Sequence, residues 1–209
     1  MASNWASRHR DSGSLDLEQM IPIGYMAKRI CESPEILNAA AVVDIYSISS
    51  CVNDDFADYI DFWKHNGYWF FNAPRIIETL AEENSINLDG MKLFYYEAHE
   101  QEFDGQTWCP YRPNWEDPEK VVVPVESKLE GFDVVTFFAG SSAECSPLSC
   151  NGLASKIETN QHCLLNSFEA AEDALNSGKF AGGEPGPHRI FAVYSVDWPA
   201  LSKQHSNSR

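Results

Sequence analysis

The chain has 209 residues, of which 44% are hydrophobic and 22% are charged. These proportions are ordinary for a globular protein, and the length suits one domain with a sizeable core. No apolar run approaches the roughly 20 residues that a membrane-spanning helix needs, and the polar N-terminal residues do not resemble a secretory signal. We therefore expect a cytoplasmic protein with no membrane partner.

The charge of the chain is strongly negative. The formal net charge is −16, and because the two terminal segments together carry +3, residues 15–202 carry −19. Nucleic-acid binding depends on Lys and Arg side chains that displace counterions, so this composition argues against DNA or RNA as a partner. It favours either a basic protein partner or simply high solubility.

The two ends of the chain lack any hydrophobic pattern. Residues 1–14 and 203–209 are polar, and we predict that both are flexible tails. Between them there is no internal repeat, no low-complexity tract and no long linker. Residues 15–202 are therefore predicted to form a single compact domain.

The predicted helices and strands are interleaved along the chain. The pattern predicts a short helix at 25–31, a strand at 42–48, an amphipathic helix at 54–65, a helix from Pro74 to near Asn84, strands at 91–99, 120–125 and 132–139, a helix at 167–177 and a strand at 189–196. The connections are too irregular for a regular βαβ array. We therefore predict an α/β (α+β) domain with a mixed β-sheet flanked by helices.

A glutamate and a histidine share one face of the strand predicted at 91–99. The period of two places Tyr95, Glu97 and His99 side by side. A carboxylate next to an imidazole can orient the ring and favour its protonated form, which makes Glu97 and His99 a candidate catalytic pair. The alternative interpretation is that the strand ends here and its polar residues meet water.

Four residues of the C-terminal half have side chains that can bind zinc. Cys145, Cys150, His162 and Cys163 supply enough ligands for a tetrahedral site, although their spacing is not a standard one. A redox-active pair or a nucleophilic cysteine is a second interpretation, and packed free thiols are a third. We therefore expect packed free thiols and no cofactor, with zinc as the alternative.

The segment 103–118 contains three large aromatic residues among several prolines. Trp108, Tyr111 and Trp115 follow neither a helical nor a strand period. Trp and Tyr dominate binding hot spots because they bury a large area at low entropic cost. These three residues are candidate binding anchors, or else they form a lid that covers the core.

Two functions fit these observations. The first is an acidic protein-binding module, of the inhibitor or immunity type, that acts on a basic partner through its surface charge and the loop aromatics. The second is a small intracellular enzyme that uses Glu97 and His99, with Cys145 or Cys150, on a small-molecule substrate. Whether the protein is an enzyme stays open at this point.

Overall fold

The computed structural model describes most of the chain outside its two ends. The described residues are 20–32, 35–49, 55–56, 70–111, 120–136 and 145–198. Within these ranges the strands are β1 (Met20–Arg29), β2 (Cys31–Glu32), β3 (Asp44–Ile45), β4 (Met91–His99), β5 (Gln101–Phe103), β6 (Trp108–Pro110), β7 (Lys128–Thr136) and β8 (His188–Val196). The α-helices are α1 (Pro74–Asn84), α2 (Pro147–Cys150) and α3 (Phe168–Asn176), and 3₁₀ turns occur at Glu35–Leu37 and Leu153–Ser155. The fold is therefore α+β, with more strand than helix.

The centre of the fold is a sheet in the order β1-β4-β8-β7. Every pairing in the described part of the chain is antiparallel, so the sheet differs in this respect from the mixed sheet expected. Each long edge pairs with a neighbouring segment of the chain at an isolated point, Tyr25 of β1 with Phe71 and Phe132 of β7 with Leu165.

The first strand is the clearest error of the sequence-based prediction. Residues 25–31 were expected to form a helix, but β1 runs through most of them. All six residues from Ile23 to Lys28 are buried, so both faces of the strand are covered and the alternation typical of a half-buried strand is missing. Periodicity does not distinguish such a strand from a buried helix.

Several other predicted elements are confirmed. The helix predicted from Pro74 is α1, the strands predicted at 91–99 and 189–196 are β4 and β8, and the helix predicted at 167–177 is α3, whose cap Ser167 accepts a hydrogen bond from the Ala170 N–H at 3.2 Å. Residues 120–125, predicted to be a strand, belong to neither a strand nor a helix, and only two residues of the strand predicted at 42–48 pair as β3. Most of the helix predicted at 54–65, residues 137–139 and both predicted tails lie outside the described residues.

None of the helices in the described ranges combines the length and the apolar character that crossing a bilayer requires.

A glycine allows the edge of β7 to be covered. Gly131 lies at a register shift of β7 with φ 147°, and a Cβ at this position would come within 2.8 Å of both Leu164 Cβ and the Leu165 carbonyl oxygen. Asn160 holds the covering segment in place, because its amide donates to the Glu130 carbonyl at 2.8 Å and accepts from two backbone N–H groups downstream. The close approach therefore needs a residue without a side chain.

We predict that Gly131→Ala lowers the free energy of unfolding by about 3 kcal/mol, because backbone strain and a steric clash act together. Gly90→Ala is the matched control, since Gly90 also has positive φ but nothing lies within 4 Å of the position that its new methyl group would take. The control is expected to lose about 1 kcal/mol, the cost of the left-handed conformation alone. Urea denaturation measures both variants, and equal losses would contradict the packing argument.

Candidate active site

A carboxylate and an ammonium group are buried under two loops on one face of the sheet. Asp133 of β7 is fully buried and Lys28 of β1 is 3% exposed. The cross-strand register places both side chains on the same face as Tyr96 of β4. Groups of this kind are rarely buried in a globular protein unless other groups compensate their charge.

Hydrogen bonds from three sides stabilise the Asp133 carboxylate. Its Oδ2 accepts from the Ser146 hydroxyl at 2.6 Å and from the Ile48 N–H at 2.8 Å, and its Oδ1 accepts from the Val134 N–H at 2.9 Å. Burial raises the pKa of Asp133 to about 6, against the opposing effect of these hydrogen bonds and of Lys28. The group therefore titrates close to neutral pH.

Lys28 is held by a backbone carbonyl. Its Nζ donates to the Ser47 carbonyl oxygen at 2.7 Å and lies 5.9 Å from the centre of the Tyr96 ring. Burial lowers the pKa of Lys28 to about 7, although the negative charges of Asp133 and of an ionised Cys150 oppose the shift. A substantial fraction of the side chain is therefore the neutral amine at neutral pH, and a neutral amine can accept a proton.

Serine side chains connect these two groups to a thiol. The Ser149 hydroxyl donates to the Ser47 hydroxyl at 2.9 Å, the Ser49 hydroxyl lies 2.9 Å from Cys150 Sγ, and the Ser49 N–H donates to the Ser146 hydroxyl at 3.1 Å. We call this set the polar ring, and its members are Lys28, Ser47, Ser149, Cys150, Ser49, Ser146 and Asp133. Lys28 and Asp133 are related by electrostatic attraction, with no direct hydrogen bond or salt bridge between them in the described part of the chain. Six members are buried, whereas Cys150 is partly exposed, so it is the member of the ring with surface open to solvent.

A short helix places three members of the ring together. Ser146 precedes α2, and Pro147 occupies its first turn, where proline is favoured. Residues three and four apart lie on one side of a helix, so Ser149 and Cys150 face the same way as Ser146. A Cβ on Gly183 would come within 2.8 Å of Pro147 Cβ, so the loop that precedes β8 packs closely against this helix.

The predicted pair of Glu97 and His99 lies on the opposite face of the sheet from the polar ring. The Glu97 carboxylate accepts hydrogen bonds from the Tyr95 and Tyr194 hydroxyls at 3.1 and 3.0 Å. His99 is 5% exposed, and its ring packs 4.9 Å from the Phe168 ring. Their catalytic role stays a prediction, and the structure places them apart from the thiol that the same hypothesis included.

The predicted binding residues Trp108 and Tyr111 contact other parts of the same chain. Trp108 of β6 donates from Nε1 to Asn176 Oδ1 at 3.1 Å, and its ring meets the His99 ring edge-on at 5.5 Å. The Tyr111 ring stacks 3.7 Å from the guanidinium carbon of Arg189. These contacts favour the covering role over the anchoring role for both residues, and Trp115 lies outside the described residues.

The four residues considered as zinc ligands have separate surroundings. Cys145 Sγ lies 3.8 Å from Asn151 Oδ1, Cys150 belongs to the polar ring, and His162 Nδ1 lies 2.5 Å from Asp44 Oδ1. Cys163 is fully buried, and burial raises the pKa of its thiol to about 12. In the part of the chain that the structure describes, no three His, Cys, Asp or Glu side chains are grouped so that they could hold a metal ion. A zinc site formed by these four residues stays a prediction.

Sequence reasoning missed Lys28, Asp133 and the serines of the ring. One signal of a buried charge was present in the sequence. Asp133 lies between Phe132 and Val134, inside an apolar run that is typical of a strand. Ser146 and Ser149 lie next to the predicted zinc ligands Cys145 and Cys150 in the sequence, but serine has no role in that prediction.

Comparison with known proteins adds no family to this description: no family model matches the chain, and neither a curated protein nor a solved structure matches it.

The lowered pKa of Lys28 predicts how stability depends on pH. The folded state releases the Lys28 proton near pH 7 and the unfolded state near pH 10.5, so the folded state binds fewer protons between these values and stability rises with pH. We expect the free energy of unfolding of the wild type to rise by about 2 kcal/mol more than that of Lys28→Met between about pH 7 and 9. Above about pH 9, Cys163 opposes the rise, because its pKa is raised in the folded state.

Urea denaturation at several pH values measures this difference. Lys28→Met leaves the Asp133 carboxyl without its cation, so the double variant Lys28→Met/Asp133→Asn serves as the second comparison. Parallel pH profiles of the wild type and both variants would show that Lys28 is protonated in the folded protein throughout this range.

Proposed function

We propose that the protein is an enzyme that uses Cys150 as a nucleophile and Lys28 as its proton acceptor, on a small molecule with an electrophilic acyl group. The observation that carries this proposal is the polar ring, which joins a lysine and an aspartate that titrate near neutral pH to one partly exposed thiol. Ionisable groups with strongly shifted pKa values cluster at active sites. The proposal keeps the second function predicted from the sequence, a small enzyme. It assigns the chemistry to Cys150 and Lys28 in place of the pair formed by Glu97 and His99.

The proposed reaction begins with a proton transfer within the ring. The neutral Lys28 amine takes the proton of the Cys150 thiol, and the resulting ammonium and thiolate attract each other. The Ser149 hydroxyl lies 3.9 Å from Cys150 Sγ and donates to the Ser47 hydroxyl, and the carbonyl oxygen of the same Ser47 accepts from Lys28 Nζ. The thiolate is the form of cysteine that attacks carbon, so this transfer generates the nucleophile at neutral pH.

The second step is acyl transfer. A new bond forms between Cys150 Sγ and the acyl carbon, the bond from that carbon to the leaving group breaks, and the Lys28 ammonium returns its proton to the leaving group. Water then adds to the thioester carbon, gives a proton to the Cys150 thiolate as it leaves, and releases the carboxylic acid. No external oxidant or reductant is required.

Asp133 acts in this proposal as a positioning residue. It fixes Ser146 and the backbone at Ile48 and so holds the loops that carry Ser47, Ser49 and Cys150. Its negative charge also favours the protonated form of Lys28 and therefore offsets part of the effect of burial. Without it, the pKa of Lys28 would fall further.

We predict that iodoacetamide alkylates Cys150 faster than Cys31 at neutral pH, although Cys31 is exposed and Cys150 is only partly so. In Lys28→Met the rate at Cys150 should fall about tenfold, because loss of a nearby positive charge raises a thiol pKa by about one unit or more. Quantitative mass spectrometry of the two cysteine peptides measures both rates in one sample, and Cys31 is the internal control. A slower reaction at Cys150 that Lys28→Met leaves unchanged would contradict the proposal.

Acyl transfer itself is tested with p-nitrophenyl acetate. The wild type should release a stoichiometric burst of nitrophenolate and carry an acetyl group on Cys150, whereas Cys150→Ala should do neither. Cys109→Ala is the matched control, because Cys109 is also partly exposed and lies outside the polar ring.

The acidic binding module is the second candidate function. The helix α1 supports it, since Glu78, Glu82 and Glu83 are exposed and the last turn has no basic residue. Such a surface would attract a basic protein and speed its association. We propose a cytoplasmic location for the protein, and this location suits both candidate functions.

If the second candidate is correct, capture of one stoichiometric basic protein from the host lysate should weaken as salt rises, because salt screens exposed charges. Glu78→Lys/Glu82→Lys/Glu83→Lys should abolish capture, while Cys150→Ala should leave it unchanged. Capture that resists salt and survives the charge reversal would exclude α1 as the contact surface.

A further inference from the structure

A cavity of about 210 Å³ lies beside the hairpin formed by β5 and β6. Most of its lining consists of Phe103 of β5, Leu175 and Asn176 of α3, Phe180, and His188 of β8. None of the residues that line it belongs to the polar ring or to the predicted sites. This volume is below the roughly 300–1,000 Å³ that is usual for ligand sites, so the cavity has room for no more than a molecule with one small ring.

The lining of this cavity is uncharged. No Asp, Glu, Lys or Arg of the described residues lines it, although 22% of the chain is charged. Burial lowers the pKa of His188, so its imidazole is neutral at pH 7. A charged ligand would find no counter-ion in the cavity and would lose its hydration on entering.

The two ring nitrogens of His188 are available for hydrogen bonds with a ligand. Its side chain is 8% exposed, and among the described residues neither of its ring nitrogens has a hydrogen-bond partner. A neutral imidazole has one donor and one acceptor, and buried polar groups are usually paired. A ligand with a polar group can form a hydrogen bond with one of these ring nitrogens.

Two side-chain amides line the cavity. Asn176 is exposed, and its Oδ1 accepts from Trp108 Nε1 at 3.1 Å, which fixes the orientation of the amide. Gln106, also exposed, is the second amide.

We propose that this cavity is a binding site for a small uncharged aromatic molecule that carries an amide or hydroxyl group. The aromatic ring packs between Phe103 and Phe180, where ring contacts and apolar burial stabilise it. Its polar group meets the amides of Asn176 and Gln106 and the imidazole of His188. The proposal does not depend on the chemistry assigned to Cys150.

The test is an NMR titration of the full-length ¹⁵N-labelled protein with benzamide. We expect shift changes at residues 103–106 and 175–181 and a dissociation constant of about 1 mM, the level for a ligand of this size. Benzoate and benzylamine, which have similar shapes but carry a charge at neutral pH, should bind at least about tenfold more weakly.

Ala181→Trp should abolish benzamide binding by filling the cavity, since Ala181 lines it. Ala40→Trp is the matched control, because Ala40 is another exposed alanine that does not line the cavity. His188→Phe keeps the shape of the ring and should weaken binding. Should either variant of the cavity misfold, the charged probes still decide the question in the wild type. No benzamide binding, shifts confined to other residues, or equal binding of benzoate would each overturn the proposal.

Discussion

The buried charges of Lys28 and Asp133 impose the main constraint on this structure. Moving an ion out of water costs several kcal/mol even after the surroundings relax, so each group needs polar partners within the core. The Ile48 N–H and the Ser146 hydroxyl are such partners for Asp133, and the Ser47 carbonyl is one for Lys28. The two loops that carry these partners are therefore held over the sheet by hydrogen bonds as well as by apolar packing.

A chain that needed only a stable core would gain little from this arrangement. Replacing a buried ion pair by apolar residues of similar volume is often neutral or stabilising by about 1–4 kcal/mol. The surrounding sheet is otherwise strongly apolar, with Tyr96, Phe191 and Val193 on the same face as Asp133 and all fully buried. A polar ring within such a core, joined to a partly exposed thiol, is the reason to assign it a chemical role.

The two longer helices were predictable because their burial is one-sided. Helices α1 and α3 each show an apolar face toward the sheet and a polar face toward solvent, and a cap or a proline marks where each begins. Burial on both faces left β1 without the alternation that marks a half-buried strand, and the helix predicted there was wrong. The antiparallel order of the sheet depends on long-range pairings, and a pattern of local periods does not encode them.

The candidate site was only partly predictable, because it too depends on contacts between residues that are far apart in the chain. Cys145 and Cys150 drew attention because cysteine chemistry is recognisable in one short segment. The polar ring, however, joins residues 28, 47 and 133 to that segment, and their separation along the chain hides the contact. Lys28 and Asp133 each look like an ordinary surface charge until the fold shows that both are buried.

One short segment contacts both the polar ring's helix and the cavity beside the β5–β6 hairpin. Phe180 and Ala181 line the cavity, while Gly183 packs on Pro147 at the start of α2. The backbone N–H of Glu184 donates to Asn151 Oδ1 at 3.0 Å, directly after Cys150 in the chain. Residues 180–184 therefore pack against the helix that carries Cys150 and also form part of the cavity wall. In a closely packed interior a displaced segment disturbs all of its neighbours, so the shape of the cavity and the position of Cys150 both depend on this segment.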